Sequence, residues 1–113
     1  CVSSRQSQDH PSWIQPLTFQ DAPAQAWKRA QACVQNQGGK IQKANDHYLW
    51  ATFHSSIFGF VDDLELRLYP GDKTIHVRSA SRLASYDLGQ NRRRVEKLRT
   101  CFQGANATRK KAP

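Results

Sequence analysis

Two adjacent carboxylates, Asp62 and Asp63, are the residues of this sequence best suited to acid–base chemistry. They lie in a segment with the alternation of a β-strand, and adjacent side chains of a strand point to opposite faces of its sheet. The two carboxylates therefore cannot act as a paired acid and base on one face. The alternation places Asp62 on the core side, where a carboxylate needs a partner. The candidate partners are Arg82 and, near the start of the last predicted helix, Asn91 and Arg92.

Two interpretations of Asp62 remain open. As a structural group, it would form an internal ion pair that fixes the sheet to the last helix. As a functional group, it would lie in a small pocket with Arg78 and Arg82, and that pocket would be the basis of an enzyme. The sequence has no Gly-rich phosphate loop, nucleophile elbow or Cys/His nucleophile pattern. A catalytic role is therefore the less favoured interpretation.

One face of the predicted sheet combines aromatic side chains with charges of both signs. Its members are Tyr48, Trp50, Thr52, His54, Asp63, Glu65, Arg67, His76 and Arg78. Such a mixture is typical of binding surfaces, and the candidate ligand-binding residues are Trp50, Asp62, Asp63, Arg78 and Arg82. The alternative is a solvated face with cross-strand pairs. The histidines lack metal-ligand spacing, so neither a metal nor a cofactor is expected.

The three cysteines are Cys1, Cys33 and Cys101, and none belongs to a CxxC motif. A zinc site is therefore not expected. Cys33 and Cys101 each fall near the end of a predicted helix, which permits one disulfide in an oxidising compartment. The alternative is a pair of buried thiols, since free cysteine packs as a small hydrophobic residue.

The positive charge is concentrated at the end of the chain. The net charge is +8, and residues 88–113 carry eight basic and one acidic side chain, or +7. Such a segment supports weak attraction to phosphate or anionic lipid, so the alternatives include a binder of nucleic acid or anionic surfaces. Binding of single-stranded nucleic acid needs aromatic side chains in a basic groove. Here the aromatic face belongs to the nearly neutral part of the chain, which makes nucleic acid an unfavoured partner.

These residues must be positioned by a small α+β domain with the element order β-α-β-β-β-β-α. Asp21 can cap a helix that has an apolar stripe at helical spacing, and four strand candidates follow it, three of them with period-two alternation. Tight turns between those segments favour an antiparallel sheet of four to five strands, with both helices packed on one face. A capping-box pattern at Asp87 and Gln90 begins the last helix, and Gly104 ends it. The predicted organisation is a polar arm over residues 1–12, one domain over 13–104 and a basic flexible tail over 105–113.

An apolar hairpin occupies residues 57–60, where a polar turn would be usual. If its tip projects, Phe58 and Phe60 would contact a partner or the membrane interface. If it folds beneath a helix, the two rings belong to the core, and this is the favoured alternative because exposed apolar patches are uncommon. No apolar run approaches the roughly 20 residues of a membrane-spanning helix.

Four motifs occur in a characteristic order along the chain. They are CVSS at residues 1–4, FGFVDDLE at 58–65, HVRSASR at 76–82 and DLGQNRRRVE at 87–96. This series resembles the domain-of-unknown-function 1499 family, whose members are small bacterial, cyanobacterial and plastid proteins, many of them envelope lipoproteins. The chain departs from the family at LASY (residues 83–86), where a glycine and a different Ser/Tyr order are more usual.

The resemblance implies a cell-envelope setting, either a periplasmic or outer-membrane lipoprotein or a protein of the thylakoid or plastid lumen. Cys1 is then either the cysteine of the family's CVSS motif, exposed by truncation, or the lipid-bearing first residue of a mature lipoprotein. The second alternative would hold the domain at a membrane without inserting it. The family has no established reaction. We therefore expect a non-catalytic binding or accessory module for a small ligand, a lipid or an envelope protein.

Overall fold

The computed structural model describes residues 1–54, 60–82 and 89–111, with the backbone alone for residues 105–111. The described elements form an α+β fold, which confirms the predicted class. The strands are β1 (Val2–Ser3), β2 (Leu17–Thr18), β3 (Lys40–Ala44), β4 (Tyr48–His54), β5 (Val61–Tyr69) and β6 (Thr74–Ser81). The helices are α1 (Pro23–Asn36) and α2 (Gln90–Lys111), and a 3-10 turn spans Pro70–Asp72.

The sheet is antiparallel and has six described strands in the order β1-β6-β5-β4-β3, with β2 also paired to β6. Its centre is the meander β3 to β6 that the alternating pattern predicts. The turn between β5 and β6 ends at Lys73, whose φ of 51° is left-handed and lets the chain reverse. The observed strand count exceeds the predicted four to five because β1, which lies in the predicted arm, also pairs with β6.

The start of the chain is part of the sheet, so the prediction that residues 1–12 form an arm without regular structure is wrong for Val2 and Ser3. Val2 is buried in the core, and its strand pairs with β6 opposite Ser79. Ser4 continues the pairing in a different way. Its backbone N–H donates to the Val77 carbonyl at 2.9 Å, and its hydroxyl accepts the Val77 N–H at 2.8 Å.

Helix α1 begins at Pro23 with Ala22 at the N-cap position, and no side chain caps it. Asp21, the predicted cap, instead accepts hydrogen bonds from the guanidinium of Arg29, which lies on the buried face of α1. That guanidinium also donates to the carbonyl of Phe102 in α2 at 3.1 Å. An ion pair between Asp21, in the loop before α1, and Arg29 of that helix thus replaces the predicted local cap.

Helix α2 begins at Gln90, and the predicted cap at Asp87 lies outside the described residues. The helix continues through residues 105–111 to Lys111, so the prediction that Gly104 ends it is wrong. A glycine inside a helix costs only about 1 kcal/mol relative to alanine, which does not by itself stop a helix. In the described chain, neither helix is long and apolar enough to cross a membrane.

Both helices pack on one face of the sheet, with α1 against β3 and α2 against β6. A disulfide joins Cys33 of α1 to Cys101 of α2, with 5.8 Å between the two Cα atoms. The core between helices and sheet contains side chains from every layer, among them Leu17, Val34, Leu64, Leu66, Val77, Val95, Leu98 and Phe102. This arrangement leaves the other side of the sheet facing away from both helices.

Candidate functional site

We call the side of the sheet that faces away from the helices the open face. The pairing register places Trp50 opposite Glu65, and Glu65 opposite Arg78, across three adjacent strands. Tyr48 pairs with Arg67 in the next row, and Arg67 pairs with His76. Side chains in register and of equal parity lie on the same face. The structure therefore brings the aromatic and charged residues of β4, β5 and β6 together.

The first ordered group on the open face is centred on Asp63. The indole of Trp50 donates to one carboxylate oxygen at 2.8 Å, and Arg82 donates to both oxygens at 2.8 and 2.9 Å. The hydrogen bonds from Arg82 and then from Trp50 lower the pKa of Asp63 below its usual 3.8, against the opposing effect of partial burial. The carboxylate is therefore ionised at neutral pH and holds both partners in place.

The second ordered group is centred on Glu65. The Tyr48 hydroxyl donates to one carboxylate oxygen at 2.6 Å, and the Arg78 guanidinium donates to the other at 3.1 Å. Partial burial and the neighbouring Glu65 raise the pKa of Tyr48 to about 12. The guanidinium of Arg67 lies 4.7 Å from the centre of the Tyr48 ring, within the range of a cation–π contact. Tyr48 is thus fixed at its hydroxyl and at its ring.

A cleft of about 190 Å³ opens beside this second group, between the start of the chain and strands β5 and β6. We call it the arginine cleft, and its lining residues are Ser3, Arg5, Glu65, Arg67, His76, Val77 and Arg78. The Arg5 guanidinium donates to the Tyr69 hydroxyl and lies 5.5 Å from the centre of that ring. Among the described residues, neither Arg5 nor Arg67 has a carboxylate partner.

His76 forms one wall of the arginine cleft. Its Nδ1 lies 2.8 Å from the Ser4 hydroxyl, and its ring meets the Tyr69 ring edge-on at 5.0 Å between centres. Partial burial and then the positive charge of Arg5 lower the pKa of His76 below its usual 6.5. The imidazole is therefore neutral near pH 7. The hydroxyl of Ser4, its hydrogen-bond partner, also forms the contact with Val77 described above.

Asp62 lies on the opposite face, beneath α2. Its carboxylate pairs with Arg94 at 2.8 Å, and the side chains are 8% and 10% exposed respectively. The Arg94 guanidinium also donates to the Asn91 amide oxygen at 2.9 Å and stacks over the Phe53 ring at 4.6 Å. Burial on the core side was predicted from strand parity. The structure gives Asp62 the role of a structural ion pair between sheet and helix.

The prediction that Arg82 or Arg92 partners Asp62 is wrong. Arg82 pairs with Asp63 on the open face, and Arg92 donates to the carbonyls of Pro11 and Trp13 at 3.1 and 3.0 Å. Arg78 also lies on the open face, opposite Glu65. Asp62 therefore lies on the opposite face from Arg78 and Arg82, and the three side chains do not converge.

The apolar hairpin is described only in part. Phe58 lies outside the described residues, so its predicted contact with a partner or membrane stays a prediction. Phe60 is 46% exposed and is the exposed large hydrophobic residue of the described chain. Cys1 is exposed and lies outside the disulfide. In the described ranges, no three His, Cys, Asp or Glu side chains are grouped so that they could hold a metal ion.

Sequence reasoning identified the open face but missed the arginine cleft. Arg67 was placed on the face by parity, whereas Arg5 was assigned to a structureless arm. The available signal was the position of Arg5 directly after the CVSS motif. The serines of this motif form strand pairing and hydrogen bonds with β6, and these contacts place Arg5 beside the open face.

The fold and this site define a small α+β domain with one sheet face covered by helices and the other bearing ordered aromatic and charged side chains. The chain belongs to the family described as "Protein of unknown function (DUF1499)", whose model matches residues 1–102. This match confirms the resemblance drawn from the four motifs. A comparison with curated proteins found no match.

Proposed function

We propose that this protein is a non-catalytic binding module of the cell envelope and that the open face is its binding surface. The observation that carries the proposal is the pair of ordered groups around Asp63 and Glu65. Each group holds an aromatic ring and an arginine in fixed positions through one carboxylate. Trp, Tyr and Arg are the residue types that contribute most to binding energy at interfaces.

Order before binding supports this proposal. A long side chain that is immobilised only on binding costs about 0.5–1.5 kcal/mol of conformational free energy. On the open face, Arg82 is already held by a bidentate contact and Arg67 by stacking on Tyr48. A ligand or partner that contacts these groups therefore does not have to order them.

The side chains on the open face favour binding over catalysis. The contact between Ser4 and His76 is the pairing that most resembles a nucleophile with a base. However, Ser4 is 6% exposed and its hydroxyl accepts the Val77 N–H, which makes it a component of the sheet edge. The carboxylate of Asp63 is committed to Arg82, and that of Glu65 is committed to Arg78.

The envelope location is supported by the disulfide between Cys33 and Cys101. Structural disulfides persist in oxidising compartments and are rare where thiols are kept reduced. Lipidation of Cys1 belongs to the same proposal, and the thiol is exposed. A lipid at this position would keep the domain at a membrane surface.

Site-specific photo-crosslinking in the native cells tests the binding surface. A photoreactive phenylalanine analogue replaces Trp50 on the open face and, as the matched control, Lys28 on the exposed side of α1. We expect discrete protein or lipid adducts from position 50 and none of the same mass from position 28. Equal patterns from both positions, or no adduct from the open face, would contradict the proposal.

The compartment is tested separately. Cells are quenched with acid, free thiols are alkylated, and the intact mass of the purified chain is measured. We expect Cys33 and Cys101 to resist alkylation because they are joined, and a mass increase at Cys1 that matches a lipid. Two alkylated thiols at positions 33 and 101 would refute the envelope location, whatever the crosslinks show.

A further inference from the structure

We propose that the arginine cleft binds the phosphate group of a small phosphorylated ligand. The inference deepens the proposed function and rests on it, because the cleft is part of the open face. Its described lining residues include three arginines and one glutamate, which together carry a net charge of +2. A phosphate monoester carries about −1.5 to −2 charges at pH 7, so it would neutralise the cleft.

Glu65, the acidic group among the described lining residues of the cleft, already has two hydrogen-bond partners. One oxygen of Glu65 accepts the Tyr48 hydroxyl, and the other accepts the Arg78 guanidinium. Its negative charge therefore offsets that of Arg78. The positive charges of Arg5 and Arg67 remain without a carboxylate among the described residues, and both side chains line the cleft.

The contacts of these two arginines leave donors available to an anion. The guanidinium carbon of Arg67 lies over the Tyr48 ring, 4.7 Å from its centre, in a contact that is not a hydrogen bond. A guanidinium carries five N–H donors, and this contact leaves them available. Arg5 uses one terminal nitrogen on the Tyr69 hydroxyl, which fixes its position and leaves its other donors.

The remaining walls suit a phosphate as well. Ser3 is a lining residue of the cleft, and its hydroxyl accepts the backbone N–H of Arg5 at 3.1 Å, which leaves the hydroxyl proton available for donation. Ser3 is held opposite Arg78 by the pairing of β1 with β6. Hydroxyl and arginine donors that converge on one cleft are the combination that recognises phosphate oxygens.

The size of the cleft limits the ligand. Sites for drug-sized molecules usually have volumes of about 300–1,000 Å³. A volume of about 190 Å³ accommodates a phosphate and a short attached group such as glycerol. The phosphate therefore comes either from a soluble phosphate ester or from the head group of an anionic lipid.

The test is an NMR titration of the full chain at constant ionic strength, first with inorganic phosphate and then with glycerol phosphate. Binding is measured from the changes in the amide chemical shifts. We expect shifts at residues 65–67 and 76–78. Arg67→Gln and Arg5→Gln should each weaken binding about fivefold or more, because each removes a charge-assisted contact. Lys28→Gln removes the same charge from the exposed side of α1 and should change the affinity less than about twofold.

Sedimentation with phosphatidylcholine vesicles, with and without phosphatidic acid, distinguishes the two sources. Cosedimentation that needs phosphatidic acid and is lost in Arg67→Gln identifies a lipid head group. Binding of glycerol phosphate without cosedimentation identifies a soluble ester. The proposal is overturned if neither phosphate compound shifts the cleft amides, or if Arg67→Gln binds them as well as Lys28→Gln does. In that case crosslinks from Trp50 would still support the proposed function, so the two failures are distinguishable.

Discussion

Removal of the disulfide between Cys33 and Cys101 should cost this domain a large part of its stability. The bond joins the two helices across a sequence separation of 68 residues. In the chain-entropy treatment, closing a loop of that length raises the free energy of the unfolded chain by about 4 kcal/mol at 25 °C. The free energy of unfolding of a domain of this size is only about 5–15 kcal/mol, so the reduced protein should be only marginally stable.

The assay is urea unfolding followed by tryptophan fluorescence. The reference protein carries Cys1→Ser, because the thiol of Cys1 would exchange with the disulfide in the unfolded chain. It is compared with the same chain after reduction and with the additional substitutions Cys33→Ala and Cys101→Ala. The reduced protein separates the effect of the bond from the loss of packing, since Cys33 is 2% exposed.

We expect the reduced protein and the Ala variant to lose several kcal/mol in the free energy of unfolding. A loss below about 1 kcal/mol in the reduced protein would refute the reasoning, because the bond would then restrict the unfolded chain far less than its loop length requires. A large loss in the Ala variant alone would assign the effect to packing of the sulfur atoms.

Three further perturbations test other parts of the structure. Asp62→Asn leaves Arg94 as an uncompensated buried charge and should lower the free energy of unfolding by about 3 kcal/mol. Asp63→Asn should lower it by less than about 1 kcal/mol, because the pair of Asp63 with Arg82 is exposed. Equal losses in urea unfolding would contradict the assignment of the two carboxylates to opposite faces. Gly39→Ala would place its Cβ 2.7 Å from a phenyl ring of β4 and 2.9 Å from a backbone oxygen of α1. We therefore expect the free energy of unfolding to fall by about 1–3 kcal/mol. An unchanged urea midpoint would show that the end of the helix can shift to make room. The lowered pKa of His76 means that folding disfavours its protonation, so the contribution of this group to stability is complete above its usual pKa of 6.5 and is lost as the pH falls below that value. The difference in urea midpoint between pH 7.5 and 5.5 should therefore shrink in His76→Gln, and an unchanged difference would assign the effect to other groups.

Most of the meander could be predicted from the sequence because apolar core residues alternate with polar residues along β4, β5 and β6. In β5, Leu64 and Leu66 point to the core while Asp63 and Glu65 point away, and this period-two pattern fixes the register with its neighbours. The same parity placed Trp50 and Arg78 on one face. The local sequence pattern was therefore sufficient to predict the face of a side chain wherever apolar and polar residues alternate along one strand.

Partners that are distant in sequence were not predictable in the same way. A strand of two residues, Val2–Ser3, is too short to show any period, and its pairing with β6 depends on backbone groups more than 70 residues away. Asp21 is of a residue type that often caps helices, yet its carboxylate binds Arg29. The choice of Arg94 for Asp62 depends on how α2 is rotated against the sheet, which the helical period alone does not determine.

The two outer edges of the sheet are closed in different ways, and this limits how the protein can associate. On one side, β1 and β2 cover β6, and Ser4 satisfies both backbone groups of Val77 between them. On the other side, β3 carries a bulge between Ile41 and Lys43, and a second lysine, Lys40, begins the strand. Bulges and lysines on an edge strand discourage a further strand from joining. In the part of the chain that the structure describes, neither edge presents a straight ladder for strand addition, so the binding surface that we propose has to act through side chains on a face of the domain.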